Sequence, residues 1–304
     1  MNRIGVDVGG SKVALGVLAA DGQLVYQQRR PTPVADYSAL LALVRTMVDE
    51  AEREVGYCSV GVGAPGATRT DSGLIKNANS TVLNGNPFGQ DLSACLNRPV
   101  RLANDANCMA LSEAIDGVAA GAGVVFGVIL GTGVGGAIVV NQQLLEGVNR
   151  IGGEWGHNSL PWPRDDELPG PDCYCGRRGC IECWLSGPGL LRDYTFDPGG
   201  ESVASGREVC ALANQGVPAA VVTLDRYFDR LARSLASVIN ILDPDVIVCA
   251  GGVSLHEPIY IEVPKRWGRW VFSDTINTKL VMAAHGDASG VRGAAWLWPG
   301  DGAG

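Results

Sequence analysis

The sequence predicts an α/β protein of two domains that share one plan. Three observations carry this expectation. The 304 residues exceed what one ordinary core organises. A composition of 46% apolar and 18% charged residues is that of a globular chain with no disordered half. One outline (strand, glycine bend, strand) also occurs twice, as IGVDVGGSKVALGVL from Ile4 and as VVFGVILGTGVGGAIVV from Val124.

From Ile4 to Arg29 three strands are separated by a bend at Gly9-Gly10 and a tighter turn at Asp21-Gly22. Leu40, Val44, Met47, Val48 and Ala51 then recur at helical spacing, in a helix ending near Gly56. CSVGVGAPG is a buried strand running into a Pro-Gly turn, and PVRLAND is another. ANCMALSEAIDGVAA suits a helix, with Asp105 at its N-terminus. The second glycine-bend outline opens the second half, after a boundary within residues 116–122. TLDRYFDRLARSLASVINIL is a long amphipathic helix, leading through Asp243-Pro244-Asp245 into the buried strand VIVCAGG.

A net charge of -8 with scattered basic residues argues against nucleic acid as a partner. Asp7 interrupts any apolar leader in MNRIGVDVGG, so no secretory signal is expected and the predicted location is the cytoplasm. Gly117 to Val140 is free of charge for long enough to mimic a membrane span. Its glycines and β-branched runs divide it into two buried strands, so no membrane is expected as a partner.

Bare amides at a glycine tip can donate to phosphate oxygens. GTGVGG matches G-x-G-x-x-G, but a strand follows it where a dinucleotide fingerprint needs a helix. No Gly-Lys pair exists, which excludes a Walker A loop. Each tip alone reads better as a tight hairpin turn; one per half points instead to two halves clasping one polyphosphate. DCYCGRRGCIEC places four of the nine cysteines within Asp172–Cys183. A reducing compartment disfavours a disulfide there, leaving a metal site or a thiol cluster. Cys173, Cys175 and Cys180 need one more donor for a Cys₃His zinc site, and His157 is the nearest histidine in sequence. Cys58, Cys95, Cys108, Cys210 and Cys249 sit in apolar contexts and read as core residues, while His256 and His285 read as surface or loop residues. Asp105 reads as a helix cap.

DVGGSK at 7–12, NDAN at 104–107, LGTGVGG at 130–136, EWGH at 154–157 and CYCGRRGCIE at 173–182 together resemble the ROK family of sugar kinases. Ser11 departs from the Thr that the family more often has there; both offer a hydroxyl. The resemblance spans essentially the whole chain. It implies a two-domain, actin-like and hexokinase-like (ribonuclease H-like) ATPase fold with an inserted zinc-binding loop at 157–182. Domains would comprise 1–118 with 290–304, and 119–289. KNANSTVLNGNPF at 76–88 and HGDASGVRGAAWLWP at 285–299 resemble bacterial fructokinases within the family, which implies ATP-dependent phosphorylation of fructose on its 6-hydroxyl. Another hexose (glucose, mannose, N-acetylglucosamine or N-acetylmannosamine) is the alternative.

By resemblance Asp105 becomes the catalytic base, and a helix N-terminus would keep it ionised. Asn79, Asn104, Asp105, Glu154, His157 and Glu182 would hold the sugar. Asp7 would orient Mg²⁺ through water, with Gly9, Gly10 and Lys12 at the phosphates of ATP. Gly131, Thr132 and Gly133 would meet the phosphates from the second half, and Gly251, Gly252 and Val253 the adenosine. His157, Cys173, Cys175 and Cys180 would hold a structural Zn²⁺. A homodimer is implied as well.

Overall fold

A computed structural model describes residues 1–78, 80–196 and 202–299. β1 (Arg3–Val8) pairs antiparallel with β2 (Lys12–Leu18), and β3 (Leu24–Pro31) extends this meander. α1 (Tyr37–Val55) starts where the Asp36 side chain accepts from the Ala39 amide, and it stops at Gly56. It buries Leu40, Val44, Met47, Val48 and Ala51, the five positions that its spacing predicts.

β4 (Ser59–Ala64) follows, then the short pair β5 (Ala67–Thr68) and β6 (Ile75–Lys76), α2 (Phe88–Leu96), β7 (Val100–Asn104) and α3 (Asp105–Ile115). The strand order is β3-β2-β1-β4-β7, with β1, β4 and β7 parallel. Asp7, Ala64 and Asn104 therefore share the carboxyl edge of one sheet, where open α/β sheets bind ligands.

The second outline forms β8 (Val124–Leu130) and β9 (Val134–Val140), followed by β10 (Gln143–Leu144). After the cysteine-rich loop come α4 (Ile181–Leu185), α5 (Gly187–Thr195), α6 (Gly206–Asn214), α7 (Pro218–Leu242) and β11 (Val246–Ala250). α8 (Ile259–Glu262), α9 (Pro264–Trp267), β12 (Lys279–Met282) and α10 (Ser289–Trp296) complete the chain's regular elements. This sheet runs β10-β9-β8-β11-β12, again an antiparallel meander beside parallel strands. The doubled plan is thus a doubled topology. The charge-free run is β8 and β9, and among the described residues no helix is long and apolar enough to cross a membrane.

Two compact units result, one of 1–121, 138–152 and the chain from Ala284, the other of 122–137 and 153–283. The segment 138–152 joins the first unit, beyond the boundaries read from the sequence, because Leu144 packs on the cluster of Ala103, Cys108 and Ala294. α10 lies on that unit's sheet where side chains are missing. A Cβ on Gly5 would fall 1.9 Å from the Val291 carbonyl oxygen, and one on Gly61 1.8 Å from that of Ala294. Of the two histidines read as surface or loop residues, His256 departs from that expectation, while His285 stands in the loop after β12. His256 is only 7% exposed and stacks on Phe228, so burial lowers its pKa. His285 bonds to Asp116 through Nε2. Cys58, Cys108, Cys210 and Cys249 are buried, and Cys95 is half-buried.

Candidate active site

In the first unit Asp7 is the penultimate residue of β1, opposite Gly63 of β4. The tip beyond it is held by its own backbone: the Gly9 amide donates to the Lys12 carbonyl at 2.9 Å. Thr32 braces it from β3's end, its hydroxyl donating to the Gly9 carbonyl (2.8 Å) and its amide to that of Ser11 (3.1 Å). Gly10 and Lys12 stay exposed at the tip.

At the same sheet edge the chain turns from β7 into α3. Asn104, not Asp105, caps this helix, accepting from the Asn107 amide at 2.6 Å. Oδ1 of Asp105 accepts from the Ala106 amide at 2.9 Å. Asp105 keeps solvent access at the helix start, yet the protein packed around its carboxyl raises its pKa above the usual carboxylate value, against the lowering effect of that amide. A carboxylate relieved of capping and made more basic is suited to accept a proton.

In the second unit the β8–β9 tip is closed by the Gly131 amide donating to the Gly133 carbonyl at 3.0 Å. Glu182, on α4, backs it. Its Oε2 accepts from the Val134 amide at 2.9 Å, and a Cβ on Gly133 would lie 2.6 Å from that oxygen. Glu154 precedes and His157 ends a single 3₁₀ turn. That turn is fixed by buried Trp155, whose Nε1 donates to the Gly135 carbonyl at 3.0 Å and whose ring meets Phe126 edge-on. Three of the residues expected around a sugar are thus anchored to β9 or its tip.

Gly131, Thr132, Gly252 and Val253 line one cavity of about 360 Å³. Gly251 does not line it; its α-carbon backs onto Leu130, where a Cβ would sit 2.5 Å from the carbonyl oxygen. The cavity also receives the starts of α5 and α6, with Gly187, Ser205, Gly206 and Arg207, none of which the motifs reveal. Ser205-x-x-Glu208 marks a capped helix start and was the available signal. Among the described residues no acidic side chain lines the cavity, and two helix N-termini with Arg207 give it a positive bias suited to an anion.

The ligand atoms of His157, Cys173, Cys175 and Cys180 all lie within 4.8 Å of one another. His157 Nδ1 is 3.6 Å from Cys173 Sγ, and the sulfurs of Cys175 and Cys180 are 3.6 Å apart. With Zn–S bonds of about 2.3 Å, tetrahedral neighbours lie roughly 3.8 Å apart, so the four donors fit zinc. Gly176 and Gly179, at φ 86° and 66°, turn the loop back so that the sulfurs converge. Burial pushes the Cys180 thiol up to about 12, whereas the Arg177 amide lowers that of Cys175. Bound Zn²⁺ would override the former, since its thiolate ligands are deprotonated. Nε2 of His157, the nitrogen expected to face the sugar, is 2.9 Å from the hydroxyl of Tyr174, a further residue missed in the sequence. Asn79 lies outside the described residues.

The ROK family profile matches residues 3–301. N-acetyl-D-glucosamine kinase of Yersinia pseudotuberculosis is 40% identical over 298 residues, covering 96% of this chain and 97% of that protein. The ROK hexokinase of Thermus thermophilus superposes with a TM-score of 0.85 at 31% identity, covering 97% of each chain. A ROK family glucokinase from Streptomyces griseus, solved with glucose and AMPPNP, gives 0.77 at 26%, over 98% and 99%. These relatives overturn the expected fructokinase activity. The two segments that suggested it are largely structural. In 76–88 Leu83 and Phe88 are core residues and Asn84 bonds both backbone groups of Ala78, while 285–299 is mostly α10 against its sheet. With family profile and relatives agreeing over nearly the full length, the chain belongs to the ROK family.

Proposed function

We propose that this protein is an ATP-dependent sugar kinase that phosphorylates N-acetyl-D-glucosamine on its 6-hydroxyl. The observation that carries the kinase reading is Asp105, solvent-accessible at the carboxyl edge of the sheet and freed from capping by Asn104, with its pKa raised. The choice of sugar rests on curated relatives of that name at 40% identity over nearly the whole of both chains.

In this reading Asn104 orients the hydroxyl and Asp105 accepts its proton as the oxygen bonds to the γ-phosphorus, whose bond to the β,γ-bridging oxygen breaks to release ADP. Glu154, His157 and Glu182 take other sugar hydroxyls, His157 with Nε2 now bonded to Tyr174. Gly9, Gly10 and Lys12, with Gly131, Thr132 and Gly133, meet the phosphates. Gly252 and Val253 face the adenosine in the 360 Å³ cavity, and Gly251 shapes their turn. Asp7, a single carboxylate, suits Mg²⁺, which keeps most of its waters and, when bound, neutralises phosphate charge. His157, Cys173, Cys175 and Cys180 would hold Zn²⁺ with no open position, so it serves structure. A homodimer completes the reading, to be checked by sedimentation.

The test is sugar-dependent ADP release over N-acetylglucosamine, N-acetylmannosamine, glucose, mannose and fructose. The highest kcat/KM is expected with N-acetylglucosamine. A preference for an unacetylated hexose would overturn the substrate, and no sugar-dependent turnover the kinase reading.

A further inference from the structure

Asp7 lies in a recess walled by two glycines. On one side is Gly63, its register partner on β4. A Cβ there would lie 3.8 Å from Oδ1 of Asp7 and 3.0 Å from Sγ of Cys108. On the other is Gly290, in the first turn of α10. A Cβ there would fall 2.9 Å from both Cγ and Oδ2 of Asp7 and 3.2 Å from Oδ1. Non-bonded carbons rest about 3.5–4.0 Å apart, so Asp7 could not keep its place beside a side chain at 290.

The backbone does not account for glycine at this position. Gly290 is helical and has no positive φ, and glycine weakens a helix relative to alanine. What the missing Cβ provides is room for the acid. Behind the recess, burial holds the Cys108 thiol well above its usual range, so it adds no second negative charge beside Asp7.

We propose that Gly290 is a positioning residue for Asp7, setting the depth and direction at which the carboxylate faces the Mg²⁺ of the bound nucleotide. This rests on the kinase reading, in which Asp7 serves that ion. Gly290 touches no substrate and acts only through Asp7.

The test compares wild type, Gly290→Ala, Asp7→Asn and Asp7→Glu in two readouts. One is the rise in melting temperature produced by ADP with and without Mg²⁺; the other is the Mg²⁺ requirement of steady-state turnover. Groups supporting a metal ligand typically cost 10–100-fold in metal affinity when altered. Gly290→Ala is therefore expected to raise the half-maximal Mg²⁺ concentration about 10-fold and to lose most of the Mg²⁺-dependent ADP shift, with sugar KM unchanged. A folded Gly290→Ala with wild-type Mg²⁺ dependence in both readouts overturns the proposal. Should that variant fail to fold, Asp7→Glu decides, because its extra methylene drives the acid against Gly290 from the other side. A raised Mg²⁺ requirement supports the proposal, and an unchanged one overturns it. Asp7→Asn tests the reading underneath. If it keeps the wild-type Mg²⁺-dependent ADP shift, Asp7 does not serve the ion and the inference falls with it. If it loses the shift while Gly290→Ala keeps it, Gly290 alone is wrong.

Discussion

The two glycine tips look alike as sequence and each closes on its own backbone, but they are braced from different places. The first closes on its own backbone through Gly9 and Lys12, is braced by Thr32, and sits between two charged residues, Asp7 and Lys12. The second is uncharged and held from outside. Glu182 accepts from Val134, the Gly187 amide donates to the Gly131 carbonyl at 2.7 Å, and that of Val253 to Leu130 at 3.0 Å. A bare turn costs too much entropy to stay fixed alone, so each tip needs a brace. The first tip's braces are neighbours in its own sheet. The second tip's brace is a residue that the proposed function also gives to the sugar. Damage to the first should therefore affect nucleotide alone, and damage to the second both substrates.

The largest expected effect defines what neither tip supplies. Asp105→Asn should lower kcat by roughly 10²–10⁴-fold while KM for both substrates changes little. Either tip can position phosphate, but neither accepts the proton. The pH profile follows from the raised Asp105 carboxyl, which accepts a proton only when ionised. Activity should fall as pH drops through its folded pKa, beginning above the usual carboxylate value of about 4. An acid limb unchanged in the residual activity of Asp105→Asn would assign that limb to another group.

Metal removal comes next and separates the tips. Cys180 directly precedes α4, which carries Glu182. Chelation should lower the melting temperature by at least ~5 °C and raise KM for both substrates, because the second tip loses its anchored brace. A chelated protein with normal stability and kinetics would remove zinc from the structure. Glu182→Ala isolates the same brace. Leaving the Val134 amide without its acceptor costs about 1–3 kcal/mol, so both KM values should rise on the order of 10-fold. A rise in sugar KM alone would break the proposed sharing of Glu182.

Much of this was legible in the sequence, and the limits have physical causes. Periodicity identified the buried face of α1 residue for residue, because one amphipathic stripe facing one core leaves a clear spacing. The Cys/His cluster was legible because three of its four donors stand close together along the chain. Asn104's capping role was hidden because Asn and Asp are both good caps and stand side by side, so only geometry assigns the duty. Ser205, Gly206 and Arg207 were missed because cavity walls assembled from separate helix starts have no period. Gly290 escaped because a glycine's role as empty space depends on what lies opposite it, and Asp7 is far away along the chain.

The smallest effect is expected at the first tip. Thr32→Val keeps the shape and branching of the side chain and removes one hydroxyl, the donor to Gly9. The Thr32 amide still holds the Ser11 carbonyl, and the Gly9 amide still closes the turn on Lys12. The carbonyl of Gly9, half-buried at a turn, can take water instead. The loss is then that of one ordinary hydrogen bond, about 0.5–1.5 kcal/mol. Nucleotide KM should rise a few-fold while sugar KM and kcat stay as in the wild type. A matching rise in sugar KM would mean that the first tip, like the second, is tied to the sugar, and the contrast between the two braces would not hold.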